Sequence, residues 1–209
     1  MSTAPVPVPK RHALKLPAGS VRAIHVLGIV GLICAIILIP GGHTIPPYLI
    51  YLLFLMLGHY FASHGVTIAT RDDPEPSPLY LPGGTVRVLI LVALIGSVSW
   101  KLYAEKDVFI QQFRASIDKL AEEPILPLVI LGGFMLGILV RTVTSRIAPL
   151  PAFQDLEAWV SLIALIAIFV AGLIHLVVDP SLGWQDHLYL PAWESFVGGV
   201  VAFYFGERS

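Results

Sequence analysis

The sequence predicts an all-α protein, a polytopic transmembrane helical bundle of about six spans. Three observations lead to this fold class. The 209 residues are 56% hydrophobic and only 13% charged, whereas soluble domains carry about 25% charged residues. Six apolar stretches recur, each long enough to cross roughly 30 Å of hydrocarbon. A seven-residue sequence also occurs twice before an apolar stretch, as LPAGSVR at residues 16–22 and as LPGGTVR at residues 81–87.

The chain starts with a short basic segment rich in proline, residues 1–15. Its composition and lack of apolar periodicity predict a disordered cytoplasmic tail. No small-residue cleavage pattern follows the first apolar stretch, so we expect a retained first helix and not a signal peptide. Residues 16–209 are then expected to form a single transmembrane domain.

The predicted spans are residues 20–39, 45–63, 85–103, 124–140, 158–178 and 188–206. The third and sixth are the weakest by composition, because charges flank residues 88–100 and Glu194 lies inside the sixth. Between the third and fourth spans, Phe109, Phe113, Ile117 and Leu120 recur at helical spacing. This pattern predicts an amphipathic helix with a charged opposite face. The helix could lie on the outer membrane surface or continue the third span outward.

The distribution of Lys and Arg predicts the orientation, because cytoplasmic segments carry an excess of both. With the N terminus inside, the outer segments hold only Lys101, Lys106, Arg114 and Lys119, all in one loop rich in acidic residues. The inner segments hold Lys10, Arg11, Lys15, Arg22, Arg71, Arg87, Arg141, Arg146 and Arg208. We therefore expect a multi-pass protein of the inner (plasma) membrane with both termini in the cytoplasm.

The repeated heptapeptide predicts that a helix starts at the inner face of the membrane. Pro and Gly interrupt the preceding structure, and Ser20 or Thr85 can cap the helix that follows. Arg22 and Arg87 then lie in the first turn, where a cation opposes the helix dipole at a cost of about 0.3–1 kcal/mol. Three explanations stay open: an orienting contact with lipid headgroups, an ion pair with Asp155 or Glu157, and an anion site. The candidates for the headgroup or anion contact are the two arginines with Ser20, Thr85 and the nearby backbone N–H groups.

The similarity continues beyond the heptapeptides and predicts duplicated helical hairpins. Residues 16–65 and 81–146 share the heptapeptide, a glycine nine residues after the arginine, and a return helix that opens with proline. Residues 155–209 form a diverged third copy without the heptapeptide. These would be parallel repeats. Small residues at four-residue spacing predict close helix packing; they include Gly133 with Gly137, and Gly198 with Ala202 and Gly206.

Ionisable groups inside the predicted spans are the candidates for chemistry. His25 and His59 lie in the inner thirds of the first two spans, and His175 and Glu194 lie in the outer thirds of the last two. The first pair could bind haem through both imidazoles, but hydrogen-bonded packing is the much simpler explanation for two isolated histidines. Neither zinc-binding spacing nor a nucleotide or hydrolase motif occurs in the sequence, so we expect no metal and no resident cofactor.

These patterns favour a structural or scaffold subunit of a membrane protein assembly, and not an enzyme. Its partners would be the lipid bilayer and other membrane proteins or further copies of itself. The small-residue stripes and the outer amphipathic segment would be its contact surfaces. The alternative is a small-solute channel or transporter with a pathway between the repeats. Basic residues are few and lie at membrane edges, so nucleic-acid binding is not expected.

Overall fold

The computed structural model describes residues 19–40, 43–62, 78–82, 84–144, 151–174 and 191–207. These residues form seven α-helices and no strand, which confirms the predicted all-α class. The helices are α1 (Ser20–Leu38), α2 (Pro47–Ala62), α3 (Thr85–Ala104), α4 (Lys106–Glu122), α5 (Ile125–Thr144), α6 (Pro151–Leu173) and α7 (Pro191–Glu207). Each predicted span overlaps one helix, and α4 coincides with the predicted amphipathic segment.

Three of these helices are long and apolar enough to cross a membrane, namely α1, α3 and the segment Ile125–Val143 of α5. Helices α2 and α6 contain shorter apolar segments, Pro47–His59 and Ala158–Leu173. The structure therefore supports a membrane protein with three candidate spans, and the larger number of six stays a prediction.

Helix α1 lies at the centre of the bundle and contacts α2, α3 and α6. In the most apolar part of α1, 61% of the residues are buried, whereas the value is 22% for the same part of α3 and 17% for that of α5. Its buried side chains, such as Val26, Ile29 and Ile33, belong to a cluster that also includes Leu49 and Leu52 of α2. Helices α3 and α5 are consequently peripheral and turn most of their apolar surface outward.

The closest helix pair is α5 with α7. A Cβ atom at Gly133 would lie 2.5 Å from the carbonyl oxygen of Gly199, and one at Gly137 would overlap the carbonyl oxygen of Phe203. A Cβ at Gly206 would overlap the backbone of Phe134 in the same way. The predicted Gly133–Gly137 pair is thus an internal helix contact, because only glycine lets the two backbones approach this closely.

The bundle has two ends, which we name by what they carry. At the arginine end lie the first turns of α1 and α3 with Arg22 and Arg87, and the last turns of α2 and α5. At the α4 end lie the last turns of α1 and α3 and the first turns of α2 and α5. Helix α4 does not continue α3, because Glu105 separates them with φ −145° and ψ 56°. Of the two predicted arrangements, the continuous helix is wrong.

Candidate functional site

The two heptapeptides start their helices with the same backbone geometry. Gly19 precedes α1 with φ 83° and ψ −5°, and Gly84 precedes α3 with φ 90° and ψ −15°. These left-handed conformations suit glycine and strain other residues. Neither helix has a side-chain cap, so the prediction that Ser20 or Thr85 caps the helix is wrong. The glycine directly before each helix occupies the capping position instead.

Ser20 has a different partner, which links the two repeated sequences. Its buried hydroxyl oxygen accepts a hydrogen bond from the backbone N–H of Leu79, at 2.9 Å. Leu79 belongs to the short 3₁₀ turn Pro78–Tyr80, in which Leu79 and Tyr80 both have φ 56°. Ser20 therefore supports a strained turn immediately before the second heptapeptide.

Arg22 and Arg87 both reach the last turn of α2. The Nη1 atom of Arg22 lies 3.1 Å from Nε2 of His59, and the guanidinium of Arg87 lies 5.7 Å from the ring centroid of Phe61. The C-terminal end of a helix carries the negative pole of its dipole and favours a nearby cation by about 0.3–1 kcal/mol. Each arginine opposes the dipole of its own helix but lies at the favourable end of α2.

Arg22 and Arg87 differ in the hydrogen bonds that their guanidinium nitrogens form. The buried Nη2 atom of Arg87 has no hydrogen-bond partner among the described residues, whereas Arg22 is paired with His59. The ion pair predicted with Asp155 or Glu157 involves two side chains that the structure does not describe. The lipid-headgroup or anion contact of either arginine stays a prediction.

His25 joins α1 to α6 in the interior of the bundle. The side chain is fully buried, with Nδ1 2.8 Å from the carbonyl oxygen of Val21 and Nε2 2.9 Å from the carbonyl oxygen of Ser161. Its ring stacks on Tyr204 of α7 at a centroid distance of 5.5 Å. A neutral imidazole donates from one nitrogen only, so both hydrogen bonds form together only in the protonated ring. In either state His25 acts as a polar link between α1 and its neighbours.

The geometry around the two histidines bears on the haem hypothesis. The ring of Phe205 contacts both imidazoles, with centroid distances of 6.1 Å to His25 and 5.7 Å to His59. A haem iron bound by both histidines would take one ring nitrogen of each, so His25 would lose its contact with the carbonyl of either Val21 or Ser161. No group of three or more metal-ligating side chains occurs in the part of the chain that the structure describes.

Glu194 belongs to a charged cluster at the α4 end, formed by the last turn of α4, Glu123 directly after it and the first turn of α7. Its half-buried carboxyl interacts electrostatically with Glu123 and Lys119, and its Oε2 atom is buried without a hydrogen-bond partner in the described structure. Burial raises the pKa of the Glu123 carboxyl from its usual value, Lys119 lowers it and Glu122 raises it. His175, the other candidate in the outer thirds of the predicted spans, lies outside the described residues.

Sequence reasoning missed the polar contacts that hold α4 against the end of α1. Gln112 is 3% exposed, and its amide nitrogen donates to the carbonyl oxygens of Ile36, at 3.3 Å, and of His43. Ser116 accepts a hydrogen bond from the backbone N–H of Ile45, at 3.0 Å. The four-residue spacing of these two polar side chains on one side of α4 is the signal that could have identified them.

Lys101 completes this contact from α3. It is only 2% exposed, and its Nζ atom lies 3.3 Å from the carbonyl oxygen of Ile39 and 2.8 Å from Glu105. The last carbonyl groups of a helix have no partner within the helix, and Lys101 and Gln112 supply donors at the end of α1. The sequence assigned Lys101 to an outer segment, but its side chain is enclosed by the protein.

Comparison of this chain with known protein families, with curated proteins and with solved structures found no match.

Proposed function

We propose that this protein is a structural or scaffold subunit of a membrane protein assembly. The outward face of α3 carries the proposal. Its exposed residues Val92, Ala93, Gly96 and Trp100 fall on one side of the helix at about 100° per residue. A Cβ atom at Gly96 would meet nothing within 4 Å. Because helices associate in lipid through close approach at small residues, Ala93 and Gly96 form a notch that suits a helix of another subunit.

The use of polar groups inside the bundle also supports a structural role. His25 contacts two backbone carbonyl groups, and Arg22 pairs with His59 across α1 and α2. These side chains connect helices to one another. The alternative, a small-solute channel or transporter with a pathway between the repeats, would need polar groups along an open route through the bundle.

We also propose an inner-membrane location with both termini in the cytoplasm. The support is the excess of arginine at one end of the bundle, with Arg22, Arg87 and Arg141 in the terminal turns there. Cytoplasmic segments carry this excess. A cysteine replacing exposed Gln111 in a Cys34→Ser background should react with a membrane-impermeant maleimide only from outside the cell; reaction only from the cytoplasm would contradict the orientation.

The duplicated hairpins belong to the same proposal. Its support is that two similar heptapeptides produce the same glycine geometry before α1 and α3. A duplicated unit in which one copy forms the centre and the other stays peripheral leaves the α3 surface available for partners.

The decisive experiment is the mass of the native particle in mild detergent. A structural subunit should purify as a defined oligomer or a larger complex, and Gly96→Leu should reduce that mass by filling the notch on α3. Leu91→Phe is the matched control, because it adds volume on a different exposed side of the same helix. A monomeric native particle, or equal effects of the two variants, would contradict the proposal.

A further inference from the structure

The helices that α4 connects determine how it would run relative to a membrane. It begins two residues after α3 ends and ends three residues before α5 begins. Both neighbours are candidate membrane spans, and they meet α4 at the same end of the bundle. A 17-residue helix is about 25 Å long at 1.5 Å per residue. With both of its ends at one membrane face, a straight helix of this length runs along that face.

The surface of α4 is divided into three faces. At about 100° per residue, Gln112 and Ser116 share the side that contacts the end of α1 and the α1–α2 connection. Adjacent to it lies an apolar face with Ile110, Phe113 and Ile117, which are 43%, 54% and 48% exposed. A third side is polar and exposed, and carries Asp107, Gln111, Arg114, Asp118 and Glu122.

We propose that α4 is an interfacial helix whose apolar face, Ile110, Phe113 and Ile117, inserts into the lipid of the membrane leaflet at the α4 end. Its three faces match its three surroundings, because the polar anchors contact the protein, the apolar face contacts lipid and the charged face contacts water. A helix that lies in the interface in this way buries its apolar side among the headgroups and upper acyl chains.

Lipid is favoured over a protein partner because α4 begins directly after exposed aromatic residues of a kind typical of a membrane interface. Trp100 and Tyr103, in the last turn of α3, are 64% and 88% exposed and lie next to the start of α4. Trp and Tyr are enriched where membrane spans leave the hydrocarbon. Trp100 and Tyr103 therefore mark the membrane interface at the level where α4 begins.

The anchors give this helix a fixed depth. Gln112 and Ser116 bind backbone groups of Ile36, His43 and Ile45, which belong to the end of α1 and the following connection. Lys119 adds a hydrogen bond to Thr44, at 3.1 Å. Unlike an isolated amphipathic helix, α4 cannot leave the membrane without breaking these contacts, so we expect insertion at every lipid composition that supports the bundle.

The test compares neighbouring residues on different faces. In a Cys34→Ser background, Ile117→Cys and Asp118→Cys are each labelled with an environment-sensitive fluorophore, and the protein is reconstituted into phosphatidylcholine bilayers. A quencher attached near the lipid headgroup should quench the label at position 117 severalfold more than the label at position 118. Aqueous iodide should show the reverse order. Ile110→Cys and Gln111→Cys form a second pair that repeats the comparison seven residues earlier in α4.

Two outcomes would overturn the proposal. If iodide quenches both members of each pair equally, the apolar face lies in water. If neither quencher reaches position 117 or 110, another protein surface covers this face, and a second copy of the chain is its occupant in this purified system. Unchanged elution of each labelled variant on size-exclusion chromatography shows that the fold is retained.

Discussion

The two hairpins that begin with the repeated heptapeptide start alike and pack differently. Gly19 and Gly84 have nearly the same backbone angles, yet α1 is enclosed by other helices whereas α3 faces outward. Three residues after each arginine, α1 has His25 and α3 has Ile90, both fully buried. The heptapeptide therefore determines how a helix begins, and the residues that follow determine which neighbours it packs against.

The return helices show the same contrast. Gly58 of α2 faces open space, whereas Gly137 of α5 lies against the backbone of α7. Both glycines lie at similar depth in their return helices, eleven residues after Pro47 and ten residues after Pro127. Their difference arises because α5 pairs closely with α7, a partner that α2 contacts less extensively.

The largest expected effect separates these two glycines. Gly137→Ala should destabilise the bundle by at least about 1–3 kcal/mol, because the added Cβ overlaps the Phe203 carbonyl and the helices must separate. Gly58→Ala should stabilise it by roughly 0.5–1 kcal/mol, because alanine favours a helix interior and meets no atom there. Reversible unfolding in mixed detergent micelles measures both. Equal effects would show that the packing of α5 on α7 is not as described.

Replacement of His25 tests the buried position that distinguishes α1 from α3. His25→Leu retains much of the volume but leaves the Ser161 carbonyl without its partner, at a cost of about 1–3 kcal/mol. Ile90→Leu, at the corresponding position of α3, should cost less than about 1.5 kcal/mol. The same unfolding assay ranks the two. A His25 variant as stable as the wild type would show that the contact with Ser161 does not hold α1 against α6.

Gln112 tests the contact that only the longer connection of the second hairpin can provide. Gln112→Leu removes two hydrogen bonds to carbonyl groups, and we expect a loss of about 1–3 kcal/mol. Gln111→Leu, on the exposed side of the same helix, should change stability by less than about 0.5 kcal/mol. Amide hydrogen exchange in residues 36–45 should accelerate in the first variant alone. Equal exchange in both would mean that Gln112 does not anchor α4.

Gly19 and Gly84 test the backbone geometry that starts the first helix of both hairpins. Gly19→Ala and Gly84→Ala each place a Cβ at a positive φ, which costs about 1–2 kcal/mol. Because the backbone angles agree, we expect similar losses although the two helices differ in burial. Asparagine tolerates this conformation better, so Gly→Asn should recover part of each loss. Clearly unequal losses for the two alanine variants would show that the common geometry does not control helix initiation.

The helices were predictable because apolar length and the positions of Pro and Gly are local features of the sequence. The predicted start of α1 at Ser20 and of α3 at Thr85 agrees with the structure, and so does the amphipathic segment. The capping residue was not predicted, because Ser and Thr are good caps in general and the contact of Ser20 with Leu79 joins residues far apart in sequence.

The candidate site was predictable as a set of residues but not as a set of partners. The sequence places Arg22 and Arg87 at helix starts, where the dipole of their own helices is unfavourable. Their contacts with His59 and Phe61 depend on where α2 ends relative to both helices. The burial of Lys101 and Gln112 was missed for the same reason, because their acceptors are carbonyl groups of another helix.

Glu123 gives the smallest effect and the one that depends on pH. Because burial raises the pKa of its carboxyl above the ordinary value of 4.5, the folded state binds this proton more tightly than the unfolded state. Stability therefore falls as pH rises through this range, and the loss is complete above the pKa in the folded state. Glu123→Gln should match the wild type at pH below 4.5 and exceed its stability at neutral pH.

Lys119→Met should change the pH dependence of stability in the opposite direction to Glu123→Gln. Its charge lowers the pKa of Glu123, so Lys119→Met should raise that pKa further and steepen the loss of stability with increasing pH. Thermal unfolding temperatures measured from acidic to neutral pH compare the three proteins. Parallel pH profiles would show that the Glu123 carboxyl is equally hydrated in the folded and unfolded chains. The charged cluster at the α4 end would then be a solvated surface and not a buried contact between α4 and α7.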